Sequence, residues 1–222
     1  MTSKQLGSLE DVISTCVTYQ EVYLFLGYGE RAQYADVREV VAALQPYLDA
    51  VRERCAGRRW LALYGGDIAR EAAPDLGWLC KVLQAEQGAD LLAVQSAGTP
   101  DTHTEYHYVP EQQLDDQGGV MYGGTRDGVL VGGSRVYLAP ELTDKDADGK
   151  RLLKGVFAAG GGGVANQELQ YVDRIGLPWV YVPSRAGKPE AYGSTYGPVH
   201  SWVEERLKDG RPVTVAAGGR MG

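Results

Sequence analysis

The positions of the glycines constrain this chain more than any other feature of its sequence. Glycine supplies 30 of the 222 residues, about double its average share, and many glycines fall in pairs or runs directly after short apolar stretches. Two such stretches are RWLALYGG, from Arg59 to Gly66, and KGVFAAGGGG, from Lys154 to Gly163. A short apolar run that ends at glycine is typical of a buried strand in a parallel sheet covered on both faces.

Segments with helical periodicity alternate with these apolar runs. Helices are predicted over residues 34–54, 75–87, 165–175 and 198–208, and strands over residues 22–27, 60–64, 90–95, 155–159 and 179–183. Pro46 predicts a kink or a break in the first helix, because proline has no amide hydrogen to donate. The alternation predicts an α/β fold with a Rossmann-like, doubly wound, mostly parallel sheet.

Residues 98–150 interrupt the alternation with turns, acidic residues and glycine pairs. We predict an inserted, irregular β segment there, with short strands over residues 129–131 and 135–138. No linker divides the sequence and no repeat of fixed period is present. One domain over residues 1–222 is therefore expected.

Charge and cysteine content narrow the functional classes. A net charge of −7 disfavours a surface for nucleic acid. The sequence has no run of 18 apolar residues, so we expect no spanning helix, and its first residues lack the apolar core of a secretory signal. Three cysteines without metal or redox spacing favour reduced thiols. A cytoplasmic protein without nucleic-acid or membrane partners is expected.

The run Gly160–Gly163 lies between a predicted strand and a predicted helix, and it gives the clearest functional signal. Ligands of α/β sheets bind where strands end and helices begin. Glycines let the backbone approach a ligand closely, and the helix start offers free amide groups to an anion. A plain tight turn is the alternative. We predict a phosphate site whose ligand-binding residues are Gly65, Gly66, Gly160, Gly161, Gly162, Gly163, Val164 and Ala165.

The segment AGGGGVANQEL, from Ala159 to Leu169, resembles the PGGxGTxxEL signature of the SLOG superfamily. That superfamily includes the LOG phosphoribohydrolases, the "lysine decarboxylase-like" proteins and the molybdenum-cofactor carriers. The segments over residues 59–97 and 154–210 are similar to the strands and helices around that signature. The resemblance implies a Rossmann-like fold, a bound nucleotide or nucleotide derivative and a homodimer.

The chain departs from the signature at the residue that matters most for catalysis. An ungapped match places Gln167 at the catalytic glutamate of the family, with Glu168 one position later. Either the loop carries an extra residue and Glu168 is the catalytic acid, or the acid is absent. The family's arginine has no match in register, and Arg126 and Arg151 are the nearby substitutes. The predicted catalytic residues are accordingly Glu168, Arg126 and Arg151.

A second cluster of chemically active residues lies in the segment DTHTEYHY. Asp101, His103, Glu105 and His107 alternate, so a strand would present all four on one face, where they could hold a divalent metal. The alternative is a polar, solvated strand face. Since side chains on a single strand rarely complete a metal site, we predict no metal and no other cofactor.

Three functions remain open from the sequence. The first is hydrolysis of the N-glycosidic bond of a nucleoside 5′-monophosphate, as in LOG enzymes. The second is nucleotide binding without catalysis, in a sensor or carrier. The third is metal-dependent hydrolysis at His103, Glu105 and His107. The expected partner is a small nucleotide or nucleotide derivative.

Overall fold

A computed structural model of the chain describes residues 3–27, 37–65, 76–94, 104–183 and 197–216. Its strands are β1 (Lys4–Leu6), β2 (Val22–Gly27), β3 (Trp60–Gly65), β4 (Ala89–Val94), β5 (Tyr106–Tyr108), β6 (Thr125–Arg126), β7 (Val129–Leu130), β8 (Gly155–Ala159) and β9 (Trp179–Val182). Its helices are α1 (Leu9–Val17), α2 (Val37–Cys55), α3 (Leu76–Gln87), α4 (Ser134–Tyr137), α5 (Pro140–Thr143), α6 (Gly163–Arg174) and α7 (Pro198–Lys208).

Seven of the strands form one parallel sheet in the order β1-β5-β4-β3-β2-β8-β9. The strands β6 and β7 form a separate antiparallel hairpin. The predicted α/β fold, Rossmann-like and doubly wound, is therefore confirmed, together with its small antiparallel insertion.

The sheet is covered on both faces, and alternate side chains of each central strand enter different cores. In β2, Tyr23 and Phe25 pack into the core under α2 and α3. Leu24 and Leu26 point the other way, into the core beneath α1, α4, α5, α6 and α7. Burial on both faces explains why the central strands read in the sequence as continuous apolar runs.

Three details of the sequence prediction are corrected. Tyr106–Tyr108 is not part of the insertion, since it pairs with both β1 and β4 in the main sheet. The strand predicted over residues 135–138 is wrong, because Ser134–Tyr137 is a helical turn that follows the left-handed Gly132. Of the kink or break predicted at Pro46, the break is wrong, because α2 continues through this residue.

The strand order reverses between β2 and β8. From β2 the chain adds β3, β4 and β5 in one direction, and then returns to place β8 and β9 on the other side of β2. In open α/β sheets, the crevice at the carboxyl ends of the two strands on either side of such a reversal is the usual ligand site. The fold thus directs attention to Gly27, at the end of β2, and to the glycines after β8.

Candidate functional site

The carboxyl ends of β2 and β8 are in direct backbone contact. Gly27 has a φ of +81°, and a Cβ atom there would lie 2.5 Å from the carbonyl oxygen of Gly160. Gly160 is itself left-handed, with a φ of +58°. Only glycine meets both demands at Gly27, namely a positive φ and a close backbone neighbour.

Beyond this contact, the first turn of α6 lies open. Gly162 is the residue that begins the helix, in an extended conformation and without a side-chain cap. Among the described residues, no acceptor reaches the amides of Gly163, Val164 and Ala165. A Cβ at Gly162 or Gly163 would have no heavy atom of the described residues within 4 Å. Three amide donors at the positive end of the helix dipole are therefore without a partner in the described part of the chain.

A second helix begins beside this turn. A Cβ at Gly161 would lie 2.7 Å from the Cβ of Ala165 and 3.1 Å from Cγ2 of Val199, in the first turn of α7. The helix α7 also begins at a glycine without a side-chain cap. The positive ends of two helix dipoles thus meet beside Gly161, which strengthens the attraction of the crevice for an anion.

Glu168 lies in the second turn of α6 and is buried, with 3% of its surface exposed. Its Oε1 accepts a hydrogen bond from Ser134 Oγ at 2.5 Å and another from the hydroxyl of Tyr137. Its Oε2 accepts none from the described residues. Burial raises the pKa of Glu168 to about 7, and the two hydroxyl donors only partly oppose that rise.

The hydroxyl partners of Glu168 come from the helical turn α4. Ser134 Oγ accepts a hydrogen bond at 2.6 Å from the amide of Gly124, so it passes one on to the carboxylate. Burial raises the pKa of Tyr137 well above its usual range, and the neighbouring carboxylate adds to the effect. Tyr137 therefore donates to Glu168 as a neutral phenol.

The ring of Tyr137 also explains one of the predicted ligand-binding glycines. A Cβ at Gly65, the last residue of β3, would lie 2.7 Å from Cε1 of that ring. In this conformation, the ring occupies the space beside Gly65. Gly66, its predicted partner, lies outside the described residues.

The glycine pair of the insertion covers Glu168. A Cβ at Gly123 would lie 2.8 Å from Ser134 Oγ and 3.3 Å from Oε1 of Glu168. The next turn is fixed by Gln167, whose Oε1 accepts the amide of Thr125 at 2.9 Å. Gln167 therefore holds the insertion against α6, while Glu168 lies beneath it.

Arg126 lies on the hairpin next to this contact. The hairpin turn has left-handed residues at Asp127 and Gly128. Arg126 is exposed and pairs at 2.5 Å with Asp116, which is more exposed still. Its predicted catalytic role stays a prediction.

Arg151 lies at the C-terminal end of α6, opposite to the glycine run. Its guanidinium donates to the carbonyl oxygens of Thr143 at 2.6 Å, Ile175 at 2.7 Å and Gly176 at 2.8 Å. Glu168 precedes Ile175 by seven residues, which is about 10 Å along a helix, so the structure does not bring Arg151 together with Glu168.

The residues of the metal alternative are only partly described. Asp101 and His103 lie outside the described residues. Glu105 is engaged, since its oxygens accept from Gln84 Nε2 and from the amide of Leu91, each at 2.7 Å. His107 is buried, and its Nδ1 lies 2.8 Å from Ser3 Oγ. Among the described residues, no group of three or more histidine, cysteine or acidic side chains is placed to bind a metal.

Sequence reasoning missed the partners of Glu168 and the glycine opposite Gly160. Ser134 and Tyr137 were missed because residues 135–138 were interpreted as a strand, which conceals their spacing of one helical turn. Gly27 ends an apolar run just as Gly65 does, so the same signal could have identified it.

Comparison with known proteins does not add a family to this picture. No family model and no curated protein matches the chain. Among the described residues, no helix is long and apolar enough to cross a membrane. The strand order and the alternation of strands and helices show a Rossmann-like fold, and the site is interpreted from its own chemistry.

Proposed function

We propose that this protein binds a nucleotide or another phosphorylated nucleoside, with the phosphate on the first turn of α6. One observation carries the proposal: the amides of Gly163, Val164 and Ala165 have no partner among the described residues, and they lie at the point where the strand order reverses. Backbone amides at a helix start bind phosphate through hydrogen bonds and the helix dipole together. The absence of side chains at Gly162 and Gly163 leaves room for the phosphate oxygens.

The neighbouring charges are compatible with an anionic ligand. Among the described residues, the side chain of Arg126 is held only by an ion pair with Asp116, and fully exposed ion pairs contribute little to stability. A phosphate can therefore compete with Asp116 for the guanidinium. We also propose, on the glycine signature alone, that the chain is a divergent SLOG protein and assembles as a homodimer.

Binding without turnover is favoured over hydrolysis. Glu168 is the only predicted catalytic carboxylate, and it is covered by Gly123 and bonded to Ser134 and Tyr137. A general acid has to come within hydrogen-bond reach of the reacting atom, so catalysis requires the Gly123 loop to move aside. Hydrolysis of the N-glycosidic bond is the second candidate, because a carboxyl group with a pKa near neutrality is suited to proton transfer.

Two measurements on the full chain test the proposal. Thermal melting with AMP, GMP, CMP and UMP should show a raised Tm for at least one, and the matching nucleoside should leave the Tm unchanged. A ligand present at a hundred times its Kd stabilises by about 2.7 kcal/mol. If every nucleotide acts like its nucleoside, the phosphate site is refuted.

Release of the free base separates the two candidates. Binding without turnover predicts no base release from the nucleotide that shifts the Tm, in the wild type and in Glu168→Gln alike. Release by the wild type that is lost in Glu168→Gln would establish the hydrolase instead. Glu168→Gln keeps an oxygen for both hydroxyl donors, so it is a milder change than alanine.

A further inference from the structure

A cavity of ≈ 300 Å³ lies between α2 and the strands β8 and β9. It lies at the amino ends of these strands, whereas the proposed phosphate site lies at the carboxyl end of β8. It is reached where β8 and β9 begin, at Gly155 and Trp179, and where α2 ends, at Arg54. Its volume is at the lower end of the range for small-molecule sites. A ligand bound there would be separate from one on the first turn of α6.

The cavity has flat aromatic walls. The rings of Tyr23 and Phe157 lie 5.3 Å apart between centroids with planes 35° apart, and the ring of Tyr47 meets Phe157 edge-on at 6.3 Å. Val180 and Val51 complete the apolar lining. Ring faces in this arrangement suit a planar aromatic ligand, which stacks offset or edge-on against them.

Two cationic side chains line the same cavity and retain unused donors. Arg54 donates from Nε to Glu21 at 3.1 Å and from Nη2 to the hydroxyl of Tyr23 at 2.6 Å, while its Nη1 donates to no described residue. Lys154 uses one of its three protons on the carbonyl of Arg151, at 2.5 Å. Among the described residues that line the cavity, none is acidic.

We propose that this cavity binds a small planar aromatic acid. The ring lies against Phe157 and Tyr47, and the carboxylate accepts hydrogen bonds from Arg54 Nη1 and the Lys154 ammonium. A neutral aromatic molecule has no carboxylate to accept hydrogen bonds from Arg54 and Lys154. A purely aliphatic acid has no ring to pack against Phe157 and Tyr47. The cavity therefore discriminates by charge and by shape together.

The test is calorimetric titration of the full chain with indole-3-acetate, using indole-3-acetamide as the uncharged probe of the same shape. We expect saturable binding of the acid and binding of the amide that is about tenfold weaker or worse. Lys154→Gln keeps a donor for the Arg151 carbonyl and removes the charge. It should weaken the binding of indole-3-acetate about tenfold.

A matched pair of substitutions on α2 locates the binding. Ala50 lines the cavity and is half-buried, so Ala50→Trp fills the cavity and should abolish binding. Ala42 is exposed on the same helix away from the cavity, so Ala42→Trp should bind like the wild type. The proposal is overturned if the acid shows no saturation up to about 1 mM, if acid and amide bind alike, or if folded Ala50→Trp binds unchanged. Should Ala50→Trp not fold, the acid-to-amide ratio and Lys154→Gln decide alone.

Discussion

The two ends of helix α6 differ in whether side chains contact the backbone there. At its C-terminal end, Arg151 donates to the carbonyls of Ile175 and Gly176 just beyond the helix, and Arg174 in the last turn adds a favourable charge. At its N-terminal end, Gly162 offers no cap and three amides have no described partner. Both ends of a helix carry unsatisfied backbone groups, and the described residues supply side-chain partners at only one end of α6.

The difference teaches which end is a structural support and which is available to a ligand. A serine, threonine or aspartate at position 162 would cap the helix and stabilise it relative to glycine by a few tenths of a kcal/mol. Gly162 lacks that stabilisation although its backbone, with φ −88° and ψ −160°, accepts any residue. Helix stability alone therefore does not explain the glycine, whereas the proposed phosphate site would explain it.

The largest expected effect comes from closing the backbone contact that shapes the open end. Gly27→Ala places a Cβ 2.5 Å from the Gly160 carbonyl and forces a left-handed residue other than glycine. We expect a loss of about 4 kcal/mol or more in the free energy of unfolding, measured by urea denaturation. Gly57→Ala is the control: Gly57 is also left-handed, at +85°, but has open space around it. It should lose only about 1 kcal/mol, and equal losses in the two variants would contradict the role of the contact.

The next effect concerns the buried acid one turn below the open end. The pKa of Glu168 is about 7 in the folded protein, against an ordinary value of 4.5 for a glutamate side chain. Between these values, the folded state keeps a proton that the unfolded chain has released, so stability falls as pH rises. The slope is about 1.4 kcal/mol per pH unit and the whole change is at most about 3 kcal/mol. Below pH 4.5 the group makes no difference, and above pH 7 the cost is fully present.

Glu168→Gln tests this by removing the titrating group while keeping an acceptor for both hydroxyls. Its free energy of unfolding, measured from pH 4 to pH 8, should lack the fall that the wild type shows between pH 4.5 and pH 7. Parallel curves for the two proteins would mean that Glu168 titrates normally.

A smaller effect is expected at the supported end of the helix. Arg151→Met removes three hydrogen bonds from a charged donor to carbonyl oxygens, which should cost about 2 kcal/mol. Arg151→Lys keeps the charge near the last turn and should recover part of that loss. Nucleotide binding should be unchanged in both variants, since the site lies at the other end of α6. Loss of binding in folded Arg151→Lys would instead support the catalytic role that the sequence suggested.

The comparison also shows what the sequence could and could not reveal. Gly160–Gly163 were predicted to open a helix after a strand, and they do, because glycine runs and apolar periodicity are local signals. The strands β2 and β8 were predicted with the bounds that the structure has, for the same reason. The contact between Gly27 and Gly160 was not, because it depends on which strands become neighbours.

The surroundings of Glu168 were out of reach for a similar reason. Ser134 and Tyr137 are more than 30 positions away in the sequence, and their apolar neighbours read equally well as strand or helix. Arg151 was assigned to the site as a nearby substitute for the family's arginine, and proximity in sequence did not indicate that it lies at the C-terminal end of α6. The periodicity of apolar residues predicts helices and strands, but it does not predict which polar side chains become partners in the folded protein.

The most direct test of the central claim changes the open end alone. Gly162→Asp places a carboxylate where the phosphate is proposed to bind, in space with no neighbour within 4 Å, and Gly162→Ala is the uncharged control. The aspartate should raise the free energy of unfolding by a few tenths of a kcal/mol as a helix cap. It should also raise the Kd of the nucleotide that shifts the Tm at least about tenfold. The alanine variant should bind that nucleotide with a Kd within about threefold of the wild-type value. A stabilised Gly162→Asp that binds the nucleotide as well as the alanine variant would contradict the account.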